Sequence, residues 1–111
     1  MSTETGTDTV YAPDMAWEPA LDFPGTAETK ILRDDGPGQA RTAFISLHAG
    51  GHVTPHAHLG TVQHYVVEGE YESEGTIYAA GTYRRLPPHA NVPEMTTQNG
   101  VTVLMIYDPV C

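Results

Sequence analysis

Seven or more short strands closing into an all-β sandwich or barrel are the expectation for this chain, and three observations carry it. Arg41 to His48 alternates cleanly, with Ala43, Ile45 and Leu47 on one face and Thr42, Phe44, Ser46 and His48 on the other, and Val101 to Tyr107 alternates in the same way. Turn chemistry punctuates the chain at Asp34-Asp35-Gly36-Pro37-Gly38 and at Asn99-Gly100. No stretch carries a helical period. A sheet closed on itself is the architecture that buries so many half-apolar strands.

In chain order, residues 1–9 are small, polar and acidic and read as a disordered tail, and 10–111 as one folded domain. From Val10 to Phe23, apolar residues stand between Pro13 and Pro19, with Pro24 following, which predicts an extended arm with Trp17 packed on the outside of the barrel or on a partner subunit. A strand is expected over Thr29–Arg33 and another over Tyr65–Val67, then a turn at Glu68-Gly69-Glu70. Glu72 and Glu74 read as a solvated face. Thr76–Tyr78 and Thr82–Leu86 are further strands around the Ala79-Ala80-Gly81 turn, and Pro87-Pro88 fixes an extended loop that carries His89. Asn99-Gly100 predicts a hairpin into the last strand, which stops at Asp108-Pro109.

Composition narrows the function. A formal net charge of -9, with five Lys and Arg, argues against nucleic acid and against anionic membrane surfaces. The single cysteine, Cys111, allows no disulfide within the chain. No apolar run approaches a membrane span, and a cytoplasmic location is the default expectation. A barrel of this size has room for a small-molecule substrate. No Gly-rich phosphate loop follows a strand, so nucleotides are not expected.

The chemistry concentrates between Gly50 and Gly69, which holds four of the six histidines. His52, His56 and His58 share one parity, so an unbroken extended backbone would point them to one face; residues two apart stand about 6.6 Å from each other, a span two imidazoles can close onto one ion. His64 shares its face with Val62 on a regular strand. Gln63 is a weak ligand and a good hydrogen-bond partner, suited to orienting a ligand or substrate. His52 is read as a mouth residue, and Tyr65 as a candidate proton donor.

Two segments resemble the motifs of the cupins, the small double-stranded β-helix barrels. Gly50, five residues, His56-x-His58 and Gly69 are similar to the first, and Gly81 to Val92, with Pro87, Pro88 and His89 inside it, to the second. The resemblance runs over roughly residues 15–109 and is greatest to the branch with zinc-binding anti-sigma factors, acetylacetone-cleaving dioxygenase and dihydroxyacetophenone dioxygenase. It implies a jelly-roll cupin barrel, a homodimer, and one divalent transition metal, with Fe(II) favoured over Zn, Ni, Cu or Mn. Val62 and Val92 stand where the family carries its glutamate and last histidine. The expected ligand set is therefore a shifted one: His56, His58, His64 and His89. The expected function is dioxygenase-type cleavage of a small enolisable carbonyl compound. The alternatives are a metal-free isomerase, lyase or cyclase, with His64 or His89 as base and Tyr65 or Tyr83 as acid, and a metal- or ligand-binding sensor module.

Overall fold

The computed structural model describes residues 8–20, 27–53, 56–57, 60–89 and 91–109. Expectations for 1–7, for Phe23 and for His58 lie outside them, as do the side chains of His56 and Val92. Ala12–Asp14 forms a single 3-10 turn, and eleven strands follow: β1 (Glu18–Pro19), β2 (Ala27–Asp34), β3 (Arg41–Leu47), β4 (His52–Val53), β5 (His56–Ala57), β6 (Val62–Ser73), β7 (Thr76–Ala79), β8 (Tyr83–Leu86), β9 (Asn91–Val92), β10 (Met95–Thr96) and β11 (Val101–Tyr107).

The alternation of β3 and β11 does what such patterns do when one face is covered. Ala43, Ile45 and Leu47 turn inward, as do Val101, Val103 and Met105, which settles an orientation that one strand could not settle alone. The Asp34–Gly38 turn reverses β2 into β3; Asp34 accepts a hydrogen bond from the Gly36 amide at 3.0 Å, as turn aspartates do. The antiparallel order is β1-β2-β3-β11-β6, and the first half of β6 takes β8 on its other side.

Gly69 is not the centre of a turn. β6 runs straight past it for 12 residues. Gly69 stands opposite Val101, two residues past a β-bulge: the register against β11 slips between Thr102 and Val103, so Val103 faces Val66 while Thr102 faces Glu68, which leaves Val67 as the extra residue. The φ of Gly69 is +79°, and a Cβ there would overlap the carbonyl oxygen of Gly100. The strand therefore bends and continues into a second layer, where Glu70–Ser73 pairs with β7 and Glu72 also faces Thr96 of β10. The reversal comes later, at Glu74-Gly75, both at positive φ in a two-residue loop between Ser73 and Thr76. Gly69→Ala is expected to lower stability by about 3 kcal/mol, from the backbone conformation together with the overlap. A urea melt would show it as a lower midpoint at unchanged slope.

Three further expectations change. Asn99-Gly100 does not close a hairpin, because β10 pairs with β4 and β6 while β11 pairs with β3 and β6. The loop is a crossing between layers, held by the Thr97 hydroxyl, which donates to the Glu70 carbonyl at 2.7 Å and accepts from the Gly100 amide at 3.0 Å. His52 and His56 do not share one strand: β4 pairs with β10, whereas β5 pairs with β9 in a separate ladder. Shared parity therefore carries no shared face between them. The arm is less extended than its prolines suggested, since Pro13 sits inside the 3-10 turn. Trp17 does lie on the outside, with the Lys30 ammonium 4.7 Å from its ring centre. Among the described residues no helix is long and apolar enough to cross a membrane.

Candidate functional site

Inside the barrel, the first half of β6 turns Val62, His64 and Val66 toward the core, and β8 sets Arg84 directly opposite His64. His64 is 3% exposed and Tyr71 fully buried. They meet although seven residues separate them, because the bulge at Val67 adds one residue and restores Tyr71 to the inner face. The Tyr71 hydroxyl lies 3.1 Å from His64 Nδ1, and a guanidinium nitrogen of Arg84 donates to it at 2.9 Å. Arg84 also stands 4.1 Å from the centre of the Tyr78 ring, a cation–π contact that holds the guanidinium in place. Of the two adjacent arginines, the inward one is Arg84; Arg85 is exposed.

Two consequences follow from this relay. Burial pushes the Tyr71 hydroxyl above the usual tyrosine range, an effect the Arg84 hydrogen bond and charge partly offset, so Tyr71 is a neutral phenol at physiological pH. Its stabilising contribution is intact below the ordinary tyrosine pKa of about 10 and is lost as pH rises through the raised value. An ultraviolet titration of the phenolates, compared with that of Tyr71→Phe, is expected to show one tyrosine ionising later than an exposed one. The second consequence concerns His64. The contact at Nδ1 fixes the orientation of the His64 ring.

A cavity of about 460 Å³ lies at the Val62 end of β6, with Asp34, Gln39, Arg41, Thr61 and Tyr107 in its walls. Its lining starts at Gly60, two residues after His58. The Arg41 guanidinium stands 5.5 Å from the centre of the Tyr107 ring.

The other expected site residues are placed as follows. Gln63 and Tyr65 alternate with His64 and face out: Gln63 accepts a hydrogen bond from the Tyr83 hydroxyl at 2.8 Å, and Tyr65 is 45% exposed. Neither touches the interior relay. Tyr83, 55% exposed, is also outside. His52 alternates with Val53, which is fully buried, and stands opposite Thr96 on the outer side of its strand pair. His89 is exposed, in a left-handed turn at φ +62° after Pro87-Pro88, beyond the end of β8 where Leu86 faces Val62. The backbone of His56 lies directly opposite Val92, so the two motifs meet at the positions the resemblance assigns.

For a metal, Val62 and Val92 offer no donor, and among the described residues no three of His, Cys, Asp and Glu come together as ligands. His64 does fit: it is buried, faces inward, and has its other nitrogen hydrogen-bonded, as metal-binding histidines do.

Antiparallel strands that turn His64, Tyr71 and Arg84 toward the interior fit a small cupin barrel. Residues 5–110 match the family model of the ChrR cupin-like domain, and the chain belongs to that family. Among solved structures it is similar to an acetylacetone dioxygenase from Acinetobacter johnsonii (TM-score 0.79, 18% identity, over 96% of this chain and 77% of that one). It is similar also to an RmlC-like cupin from Shewanella frigidimarina (TM-score 0.75, 21% identity, 95% and 93% covered). A third likeness is to the Rhodobacter sphaeroides complex of SigE with the anti-sigma ChrR (TM-score 0.70, 19% identity, 88% and 51% covered). At such identities these likenesses speak for the fold. No curated protein matches the sequence.

Proposed function

We propose that this protein is a metal-dependent cupin enzyme of dioxygenase type acting on a small enolisable carbonyl compound. The observation that carries the proposal is the buried His64, held at Nδ1 by Tyr71, which is in turn held by Arg84. His56, His58 and His64 would hold one divalent transition metal, Fe(II) in the favoured case, supplying Lewis acidity and, with iron, redox capacity. Val62 adds no negative charge to this set, and Arg84 adds a positive one nearby, so the interior suits an anionic enolate. With a metal on Nε2, Nδ1–H would donate to the phenol oxygen, and Tyr71 would so fix the ring of His64. The cavity beside Val62 has room for a small-molecule substrate.

A second reading has its own observation. The Tyr71 oxygen already accepts from Arg84, so its own proton has His64 Nδ1 as acceptor; the imidazole then carries its hydrogen on Nε2 and works as a proton donor without any metal. That is an acid–base enzyme with Tyr71 in place of Tyr65 or Tyr83, and with His64 as proton donor in place of the base expected of it.

Metal analysis of untagged protein beside a His56→Ala/His58→Ala double variant separates the readings, followed by oxygen uptake with small β-diketones and hydroxyketones. One ion per chain, lost in the variant, together with oxygen uptake, supports the dioxygenase. Tight zinc without turnover points to a sensor. An active apoprotein indifferent to chelator establishes the acid–base enzyme and overturns the first reading.

A further inference from the structure

We propose that the cavity at the Val62 end of β6 binds a carboxylate, with Arg41 as its anchor, so that the substrate of this barrel is a small oxo acid rather than a neutral ketone. The registers set one residue of each strand in a row across the end of the inner face: Arg41 of β3, Tyr107 of β11, Val62 of β6 and Leu86 of β8. Arg41 has the parity of the inward Ala43, Ile45 and Leu47, and Tyr107 and Leu86 pack against the buried core. Arg41, Tyr107 and Val62 are all walls of the cavity, whose volume of about 460 Å³ lies in the range of small-molecule sites, about 300–1,000 Å³.

Tyr107 gives the site its direction. The Arg41 guanidinium stands 5.5 Å from the centre of its ring, and its hydroxyl donates to the Met105 sulfur at 3.5 Å. Met105 is directly opposite His64, and His64 opposite Arg84, one inward row deeper. The Tyr107 side chain thus leads from Arg41 toward the row of His64. Two strand spacings of about 4.8 Å and one inward step of about 6.8 Å put the backbones of Arg41 and His64 about 12 Å apart. The long arginine stem takes up part of that distance, and a ligand of a few carbons spans the rest, with its carboxylate on Arg41 and its carbonyl toward His64. The carbonyl end rests on the function proposed above; the carboxylate contact does not.

Arg41 is the one Lys or Arg among the described residues of the cavity wall. Its planar fork of N–H donors matches the two oxygens of a carboxylate and accepts one alongside its contact with Tyr107. Two acids, Asp34 and Asp108, share the wall. Asp34 is exposed and accepts from the Gly36 amide at 3.0 Å within its own turn, while Asp108 accepts from the outward-facing Gln63 at 3.5 Å. A carboxylate about 8 Å away through water weakens the binding of an anion about twofold, and two of them about fivefold, whereas a charge-assisted contact strengthens it roughly tenfold to a hundredfold. The direct contact therefore wins.

Calorimetric titration of the full chain with 4,6-dioxoheptanoate and with its methyl ester tests this, since the two share a β-diketone and differ in charge. The acid is expected to bind about tenfold more tightly than the ester at neutral pH, a difference that shrinks as salt is raised. Arg41→Gln is expected to bring the ratio to about one. Arg41→Lys, which keeps the charge without the fork, is expected to bring it to about three, and it carries the test should the first variant fail to fold. Arg85→Gln removes an exposed cation on the outside of β8 and is expected to leave the ratio at about ten. An ester bound as tightly as the acid, or more tightly because Asp34 and Asp108 set the charge, overturns the inference. So does a preference unmoved by the Arg41 variants, a preference lost in Arg85→Gln, or binding of neither probe. Acid selectivity through Arg41 in a chain that takes up no metal overturns the dioxygenase reading and keeps the anchor. Turnover of acid and ester at equal KM keeps the dioxygenase and overturns the anchor.

Discussion

His64→Leu is expected to abolish metal uptake while leaving the barrel folded. Leucine is close in volume to imidazole and sits well among Val62 and Val66, which face the same interior, so the change removes a donor without opening a large cavity. It also leaves the buried Tyr71 hydroxyl with Arg84 as its remaining hydrogen-bond partner. Losing one partner of a buried polar group costs about 1–3 kcal/mol, which a stable barrel tolerates. Metal content by mass spectrometry is expected to fall from one ion per chain to none measurable, with oxygen uptake lost in parallel. Full retention of metal would remove His64 from the ligand set. Loss of turnover with an unchanged metal content would move it to the role of acid or base.

Tyr71→Phe has the second largest expected effect, because a single oxygen joins three elements of the site. Its removal strips the fixing contact from His64 Nδ1 and a hydrogen bond from Arg84, while the ring itself and its edge-on packing against His64, with centroids 6.1 Å apart, are kept. Outer partners of this kind typically set metal affinity by about 10–100-fold. Competition against a chelator is expected to show a weakening of that order, with stability lower by about 1–2 kcal/mol in a urea melt. The same variant distinguishes the metal reading from the acid–base one. In the latter, turnover collapses, its pH profile shifts, and metal content is irrelevant.

Much of the architecture was legible because strand patterning is a local signal. The inward set of β3 and β11 is written in strict alternation, and the inward turn of His64 follows from its spacing to Val62. The partners of His64 were not legible, and the reason is phase. Tyr71 is an odd number of residues away, which on a regular strand puts it on the opposite face; the bulge at Val67 inserts one residue and reverses that. Glu68-Gly69-Glu70 just after it reads equally as turn or continuing strand, and only the pairing with β11 decides. Parity alone does not relate His52 to His56, because β4 and β5 are two strands with different partners. Asn99-Gly100 has the right residues for a hairpin, yet the partner of the outgoing strand is chosen by long-range pairing, which local turn chemistry does not encode.

The bulge at Val67 also bears on how such a barrel evolves. Residues beyond it are presented to the interior in a frame set by a single extra position, much as a reading frame is set by a single base. Deleting one residue between Val66 and Gly69 would exchange the two faces of the strand end, turning Glu70 and Glu72 inward and Tyr71 and Ser73 out, without one substitution. A descendant of this barrel can therefore trade a phenolic lining for an acidic one in one mutational step. Column-by-column comparison of relatives across this bend would then align side chains that point in opposite directions.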